Sequence, residues 1–131
     1  MEQPQYLIDS NAVIDFLGKK FPANGMDFMI RIIDTVPLVS VITKIEVLGF
    51  NTSDEYYTLL SDFMNDVTVL DLSNNIVDVS IGICKKYKTK LPDAIIIAAT
   101  VLVYNLVLIT RNTFDFKNIE GLQVTNAHSL N

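Results

Sequence analysis

The residues of this chain that could do chemistry are acids. Asp9 follows the short apolar run Tyr6-Leu7-Ile8 and precedes Ser10-Asn11, after which Val13, Phe16 and Leu17 recur at helical spacing. The pattern puts Asp9 where a strand ends and a helix begins, and open parallel sheets bind ligands there. The same position suits a helix cap, with Asp9 or Ser10 accepting a bond from the first turn. From this stretch alone the two readings are even. Three more acids favour chemistry. Glu46 lies in the helix after the second expected strand, Asp93 starts a long apolar helix, and Asp115 lies in the turn after the fourth strand. If the first and fourth strands are neighbours, the strand order reverses between them. Asp9 and Asp115 then flank the crevice, with Glu46 and Asp93 in reach of the same space.

Carboxylates gathered in this way repel. Two unit charges ~4 Å apart cost about 4 kcal/mol at an effective dielectric of about 20. Such a cluster persists if some of the carboxyls are protonated or a cation sits among them. All-oxygen donors with no histidine or cysteine nearby select a hard ion, Mg²⁺ or Mn²⁺. Mg²⁺ held by a few carboxylates commonly takes phosphate as a further ligand, which leads to metal-assisted phosphodiester hydrolysis. The formal net charge of -5 argues against a basic nucleic-acid-binding surface. It is consistent with a site where the ion supplies the positive charge.

The elements that would hold these acids can be read along the chain. With 131 residues, half of them apolar, the expectation is one folded domain over 1–131. A single cysteine, Cys84, excludes internal disulfides, suits a reducing compartment, and reads as a packed core thiol on an apolar helical face. The start of the chain shows no secretion signal, and the longest apolar run, Ala94 to Ile109, is interrupted by Thr100 and Asn105. It is shorter than the ~20 residues of a membrane span. The expectation is a cytoplasmic protein with no membrane partner.

The first helix is expected to end at Gly18 in a left-handed stop. A second, from Gly25 to Asp34, would bury Met26, Met29, Ile30 and Ile33. Strands are expected at Pro37–Val41, Val67–Leu70, Leu106–Ile109 and Leu122–Thr125. Ile42 to Phe50 returns to helical spacing, with Thr43 and Glu46 on one face. Thr52 and Glu55 have the spacing of a capping box, opening a helix that would bury Tyr56, Leu59, Leu60, Phe63 and Met64. Ser73 would cap a long helix with Ile76, Val77, Ser80, Ile83, Cys84 and Tyr87 on one face. Lys85, Lys86, Lys88 and Lys90 crowd its end, as cations at a helix terminus or as a phosphate-facing patch. Pro92 and Asp93 are helix-start residues for a segment that is apolar almost all round, and Arg111 to Phe116 reads as a polar turn. Asp15 reads as a surface acid, and His128 as an exposed or tail-packing histidine. Alternating strands and helices predict an α/β sandwich on a mostly parallel sheet.

These residues also carry a resemblance. Asp9-Ser10-Asn11, Thr43-x-x-Glu46, Pro92-Asp93-Ala94 and Thr110-Arg111-Asn112-x-x-Asp115-Phe116 resemble, in order and spacing, the four motifs of the PIN domain. The nearest group is the VapC-like toxins of bacterial toxin–antitoxin pairs, and the resemblance spans nearly the whole chain. It implies a three-layer α/β/α sandwich with a mostly parallel sheet of about five short strands. It also implies an acidic pocket that binds Mg²⁺ or Mn²⁺ and cleaves RNA, leaving 5′-phosphate and 3′-hydroxyl ends. Residue by residue, Asp9, Glu46, Asp93 and Asp115 match the acidic positions. Asn11 and Thr110 match supporting polar residues, with Ser10 and Asn112 as looser matches. Many relatives carry an acid where Asn112 stands, which weakens the case for a fifth ligand. On this pattern Asp9, Asp93 and Asp115 hold the ion, while Glu46 either completes its shell or orients and deprotonates the attacking water. Lys44, Arg111 and Lys117 lie near the motif loops and are candidates for holding flanking phosphates, the other reading being solvated surface charge. The partners implied are an RNA substrate, a cognate antitoxin protein and a second copy of the chain. The Tyr56–Met64 helix would serve either as that dimer interface or as core.

Two other readings compete. One is a PIN-like module that has lost activity and serves in docking. The other is a haloacid-dehalogenase-like phosphatase, which needs a second aspartate two positions after the first. Asn11 stands there, and no later Asp-Asp pair follows.

Overall fold

The computed structural model describes residues 4–87 and 92–130, and strands alternate with helices through them. β1 (Tyr6–Ile8), β2 (Leu38–Ser40), β3 (Thr68–Leu70), β4 (Val107–Ile109) and β5 (Gln123–Thr125) form an all-parallel sheet in the order β3-β2-β1-β4-β5. The helices are α1 (Ser10–Leu17), α2 (Ala23–Ile33), α3 (Val41–Leu48), α4 (Asp54–Asp66), α5 (Asn74–Tyr87), α6 (Pro92–Tyr104) and the short α7 (Thr113–Phe116). A 3-10 helix follows β5 at Ala127–Ser129. The chain builds outward from β1 through β2 to β3, then returns to the other side of β1 for β4 and β5. The reversal point expected from the sequence therefore lies between β1 and β4.

Side chains alternate across the pleat, so neighbouring residues of one strand serve opposite layers. Leu7, Leu38 and Leu108 enter a cluster with Ile76 and Ile83 of α5 and Ile95, Ala98 and Val101 of α6. Ile8, Val39 and Ile109 enter the opposite cluster, with Val13 of α1, Met29 of α2, Val47 of α3 and Leu60 of α4. Both faces of the sheet are thus covered, as a parallel sheet requires, and the α/β/α sandwich is the observed architecture. Each fully buried aliphatic side chain here contributes about 1.5–3 kcal/mol.

Several local expectations change. α1 does end before Gly18, but that glycine has φ -83, and the left-handed residue is Lys19 at φ 56. Asn105, at φ 54, makes the corresponding turn from α6 into β4. Ser53, not Thr52, caps α4, because its hydroxyl accepts the bond from the Tyr56 amide at 3.2 Å. Ser73 does bond to the Ile76 amide, at 3.3 Å, at the start of α5. Ile30 and Leu59 are not core residues: they are 43% and 50% exposed, on the outer flanks of α2 and α4. Val77 and Cys84 are likewise exposed, because the inward face of α5 is centred on Ile76 and Ile83. They line an apolar groove with Leu72, Ile81, Ile95 and Ile96. The Arg111–Phe116 turn contains a helical turn, α7, which buries Phe116. Among the described residues no helix is long and apolar enough to cross a membrane. Lys88, Lys90 and Leu91 lie outside the described residues; Lys86 pairs with Glu120 at 2.9 Å.

Candidate active site

β1 and β4 run parallel with Ile8 opposite Ile109, so the next residues, Asp9 and Thr110, emerge side by side. This register brings together two residues far apart in sequence. The Asp9 amide donates to the Ile109 carbonyl at 2.9 Å, and the Thr110 hydroxyl donates to Asp9 Oδ2 at 2.8 Å. Asp9 is also the cap of α1, with Oδ1 accepting from the Ser10 amide at 2.8 Å. Cap and site are therefore one residue. Asn11 Nδ2 lies 3.4 Å from Asp9 Oδ2 and donates to Thr110 Oγ1 at 3.1 Å, while Asn11 Oδ1 accepts from the Arg111 amide at 2.9 Å. Thr110 Oγ1 also accepts from the Asn112 amide at 3.1 Å, so its donor and both lone pairs are in use.

The other three acids arrive on helices. Glu46 stands on α3, exposed, and its Oε1 accepts from the Ser10 hydroxyl at 2.6 Å. Asp93 occupies the first turn of α6 and Asp115 lies on α7, both exposed. All four acids, with Asn112, face one cavity of about 270 Å³ whose apolar walls are Ala94, Ile97 and Phe116. The sequence expectation that these four segments meet is therefore observed. Thr43 and Glu46 lie three residues apart on α3 but differ in burial: Glu46 is exposed, whereas Thr43 is fully buried and, among the described residues, its hydroxyl has no hydrogen-bond partner.

Asp9 is 8% exposed, and burial pushes its carboxyl above the ordinary value of 3.8. The charge of Asp115 pushes in the same direction, while the bonds from Thr110, Ser10 and Asn11 oppose the shift. A buried carboxylate that faces three more acids and, among the described residues, has no cationic partner is suited to a cation. The donor set fits a hard divalent ion, because among the described residues every side chain that faces the cavity with a charge is a carboxylate. Among the described residues no three of these groups already stand close enough together to hold an ion between them.

The basic candidates differ. Lys44 is exposed and makes no ion pair among the described residues. Lys117 places Nζ 4.0 Å from the centre of the Phe114 ring, and Phe114 is 74% exposed beside Asp115. Arg111 is half exposed but tied at Nη1 to Asp15, 2.8 Å away. Asp15 corrects the sequence reading most clearly. It is no surface acid but 5% exposed, in contact with both Arg111 and His128. Asn11 and Asp15 are one helical turn apart and share the face of α1 turned toward the loop after β4, but that spacing alone does not say what covers the face. His128 packs into the fold, as one of its two expected readings had it, against Phe21 with ring centres 4.1 Å apart and the planes tilted by 38°.

Comparisons with known proteins agree with this geometry. The family model of the PIN domain matches residues 6–122. A toxin–antitoxin complex from Klebsiella pneumoniae contains a chain of 28% identity, with coverage of 94% of this chain and 98% of that one and a TM-score of 0.74. DNA-bound VapBC from Salmonella typhimurium is 20% identical, covers 95% and 99% of the two chains, and has a TM-score of 0.78. VapBC2 from Rickettsia felis, bound to a fragment of promoter DNA, is 17% identical over 92% and 97%, also with a TM-score of 0.78. No curated protein matches. The last two likenesses are likenesses of fold. The family match runs from the first strand to the threshold of the last and includes all four acids, and on that ground the chain belongs to the PIN domain family.

Proposed function

We propose that this protein is a metal-dependent endoribonuclease, a hydrolase of RNA phosphodiester bonds and the toxin of a toxin–antitoxin pair. The observation that carries the reading is the meeting of Asp9, Glu46, Asp93 and Asp115, from four separate segments, at one cavity. Asp9, Asp93 and Asp115 would hold Mg²⁺ or Mn²⁺, with waters completing the shell, since such ions dehydrate reluctantly. The bound ion would supply charge stabilisation at phosphorus and acidify water. The chain's own residues have separate tasks. Ser10 holds Glu46 Oε1, which leaves Oε2 free to orient a water and accept its proton. Thr110 and Asn11 fix the Asp9 carboxylate, and Ala94, Ile97 and Phe116 give the cavity a wall of low polarity. Lys44, Lys117 and the exposed part of Arg111 would hold flanking phosphates, and the exposed Phe114 ring offers a surface on which an unpaired base can stack.

A cognate antitoxin is proposed from the likeness to the toxin–antitoxin complexes. A homodimer is proposed through the outer side of α3, α4 and the loop between them, where Ile45, Phe50, Tyr57 and Leu59 are exposed while Leu60 and Met64 face the core. The test of function is cleavage of a mixed RNA pool with and without Mn²⁺, beside a thermal melt under the same conditions. Binding to the folded state raises the midpoint. The inactive-module reading draws on the separation of the acids noted above, and it predicts neither cleavage nor a metal-dependent shift.

A further inference from the structure

Asp15 takes no part in the cavity, yet it is 5% exposed, less than Asp9 at 8%. Burying an acid costs free energy unless its partners compensate, so the position calls for a reason. Its Oδ2 accepts from Arg111 Nη1 at 2.8 Å and lies 2.9 Å from His128 Nε2. The carboxylate therefore joins α1, the loop after β4 and the 3-10 helix after β5. Arg111 is gripped twice by the same face of α1: at its backbone by Asn11, 2.9 Å, and at its side chain by Asp15. The residues on either side of it are the ones that matter to the cavity. Thr110 bonds to Asp9, and Asn112 and Asp115 line the cavity wall.

We infer that Asp15 is a positioning residue for the acidic site, acting through Arg111, and that the C-terminal segment completes the device through His128. The inference rests on the metal-site reading above. Fixing Arg111 fixes where α7 begins, and so where Asp115 stands relative to Asp9. His128 occupies the other side of the same carboxylate oxygen and is itself packed against Phe21. The segment that carries His128 is seated by Gly25 of α2, because a Cβ at that position would collide with the Ala127 carbonyl oxygen. Substitution at Gly25 must therefore move the segment, although Gly25 touches none of the acids.

The test is calorimetric titration of the full chain with Mn²⁺, well below each variant's unfolding midpoint. Partners of metal ligands typically control affinity by about tenfold or more when lost, and that is the loss expected for Asp15→Ala and Arg111→Met. Arg111→Lys, which keeps the cation, recovers most of it. Gly25→Ala and His128→Ala weaken binding a few-fold, and Lys86→Met, remote from the site, leaves it unchanged. A purely structural role for Asp15 would lower the midpoint and leave the Mn²⁺ Kd of the folded protein as in wild type. Wild-type Kd values in Asp15→Ala, Arg111→Met and Gly25→Ala would overturn the inference and leave the nuclease reading standing. If Asp15→Ala does not fold, Arg111→Met and Gly25→Ala decide alone. Absence of Mn²⁺ binding in the wild-type chain would overturn both.

Discussion

The two halves of the acidic site are built differently. Around Asp9 the structure is buried and closed: register, helix cap and the Thr110 hydroxyl leave each oxygen of the carboxylate with a donor. Around Glu46, Asp93 and Asp115 it is open, with exposed side chains on helices and, among the described residues, one side-chain hydrogen bond, from Ser10 to Glu46. The buried half is organised in advance and pays for it in desolvation, which is why Asp9 carries the raised pKa. The open half leaves its carboxylates exposed to solvent. Mutations should therefore separate the halves: changes of the acids in the open half should remove activity and spare the fold, and changes in the buried half should alter stability as well as activity.

The largest effect expected is on activity in the open half. Asp93→Asn should cut RNA cleavage by about 100-fold or more, the order seen when a transition-state electrostatic contact is lost. Its metal-free stability should stay within about 0.5 kcal/mol of wild type, since the residue is exposed. A urea melt and a cleavage time course check both. Next, Thr110→Val keeps the shape of a residue 1% exposed but leaves the Asp9 oxygen, the Asn11 amide and the Asn112 amide without their shared partner. The urea midpoint should fall, corresponding to about 1–3 kcal/mol, with activity falling as well.

Asp9→Asn sharpens the comparison through pH. The folded carboxyl titrates above its unfolded value of 3.8, so the folded state holds the proton longer. The contribution of this group is present below the unfolded value and is lost as pH rises through the folded one. In metal-free melts from acid to neutral pH, wild type should therefore lose stability relative to Asp9→Asn across that window. A difference that does not change with pH would show that burial of Asp9 is not felt as supposed. The smallest effect is Ser10→Ala. Loss of the hydroxyl should leave stability within about 0.5 kcal/mol and lower cleavage only modestly, since Glu46 keeps its place on α3.

The buried half was also the more legible in sequence. An apolar triplet ending in Asp-Ser-Asn and another ending in Thr-Arg-Asn mark strand ends. The switch-point rule for parallel sheets brings them together if the two strands are neighbours, as they are. The same reasoning sets Asp115 at that edge, in the turn after a strand, and leaves Glu46, within a helix, and Asp93, at a helix start, only in reach of it. Side-chain direction within a helix was less legible. Ile30, Leu59, Val77 and Cys84 belong to apolar stripes wider than the surface available to cover them, so their outer members face solvent. Thr43 and Glu46 show the same limit, one turned fully inward and the other out to the cavity. Asp15 was hidden for a different reason. Its partners, Arg111 and His128, are distant in sequence, and nothing local distinguishes a buried acid with two basic neighbours from a solvated one.

The claim beneath all of this is that the four acids bind one kind of ion in one place. Crystals grown with Mn²⁺, measured for manganese anomalous scattering, test it most directly. The account predicts a peak inside the cavity between Asp9, Glu46, Asp93 and Asp115, lost in crystals of Asp93→Asn. A map with no peak there, or with its peaks only at other surfaces of the molecule, would contradict it.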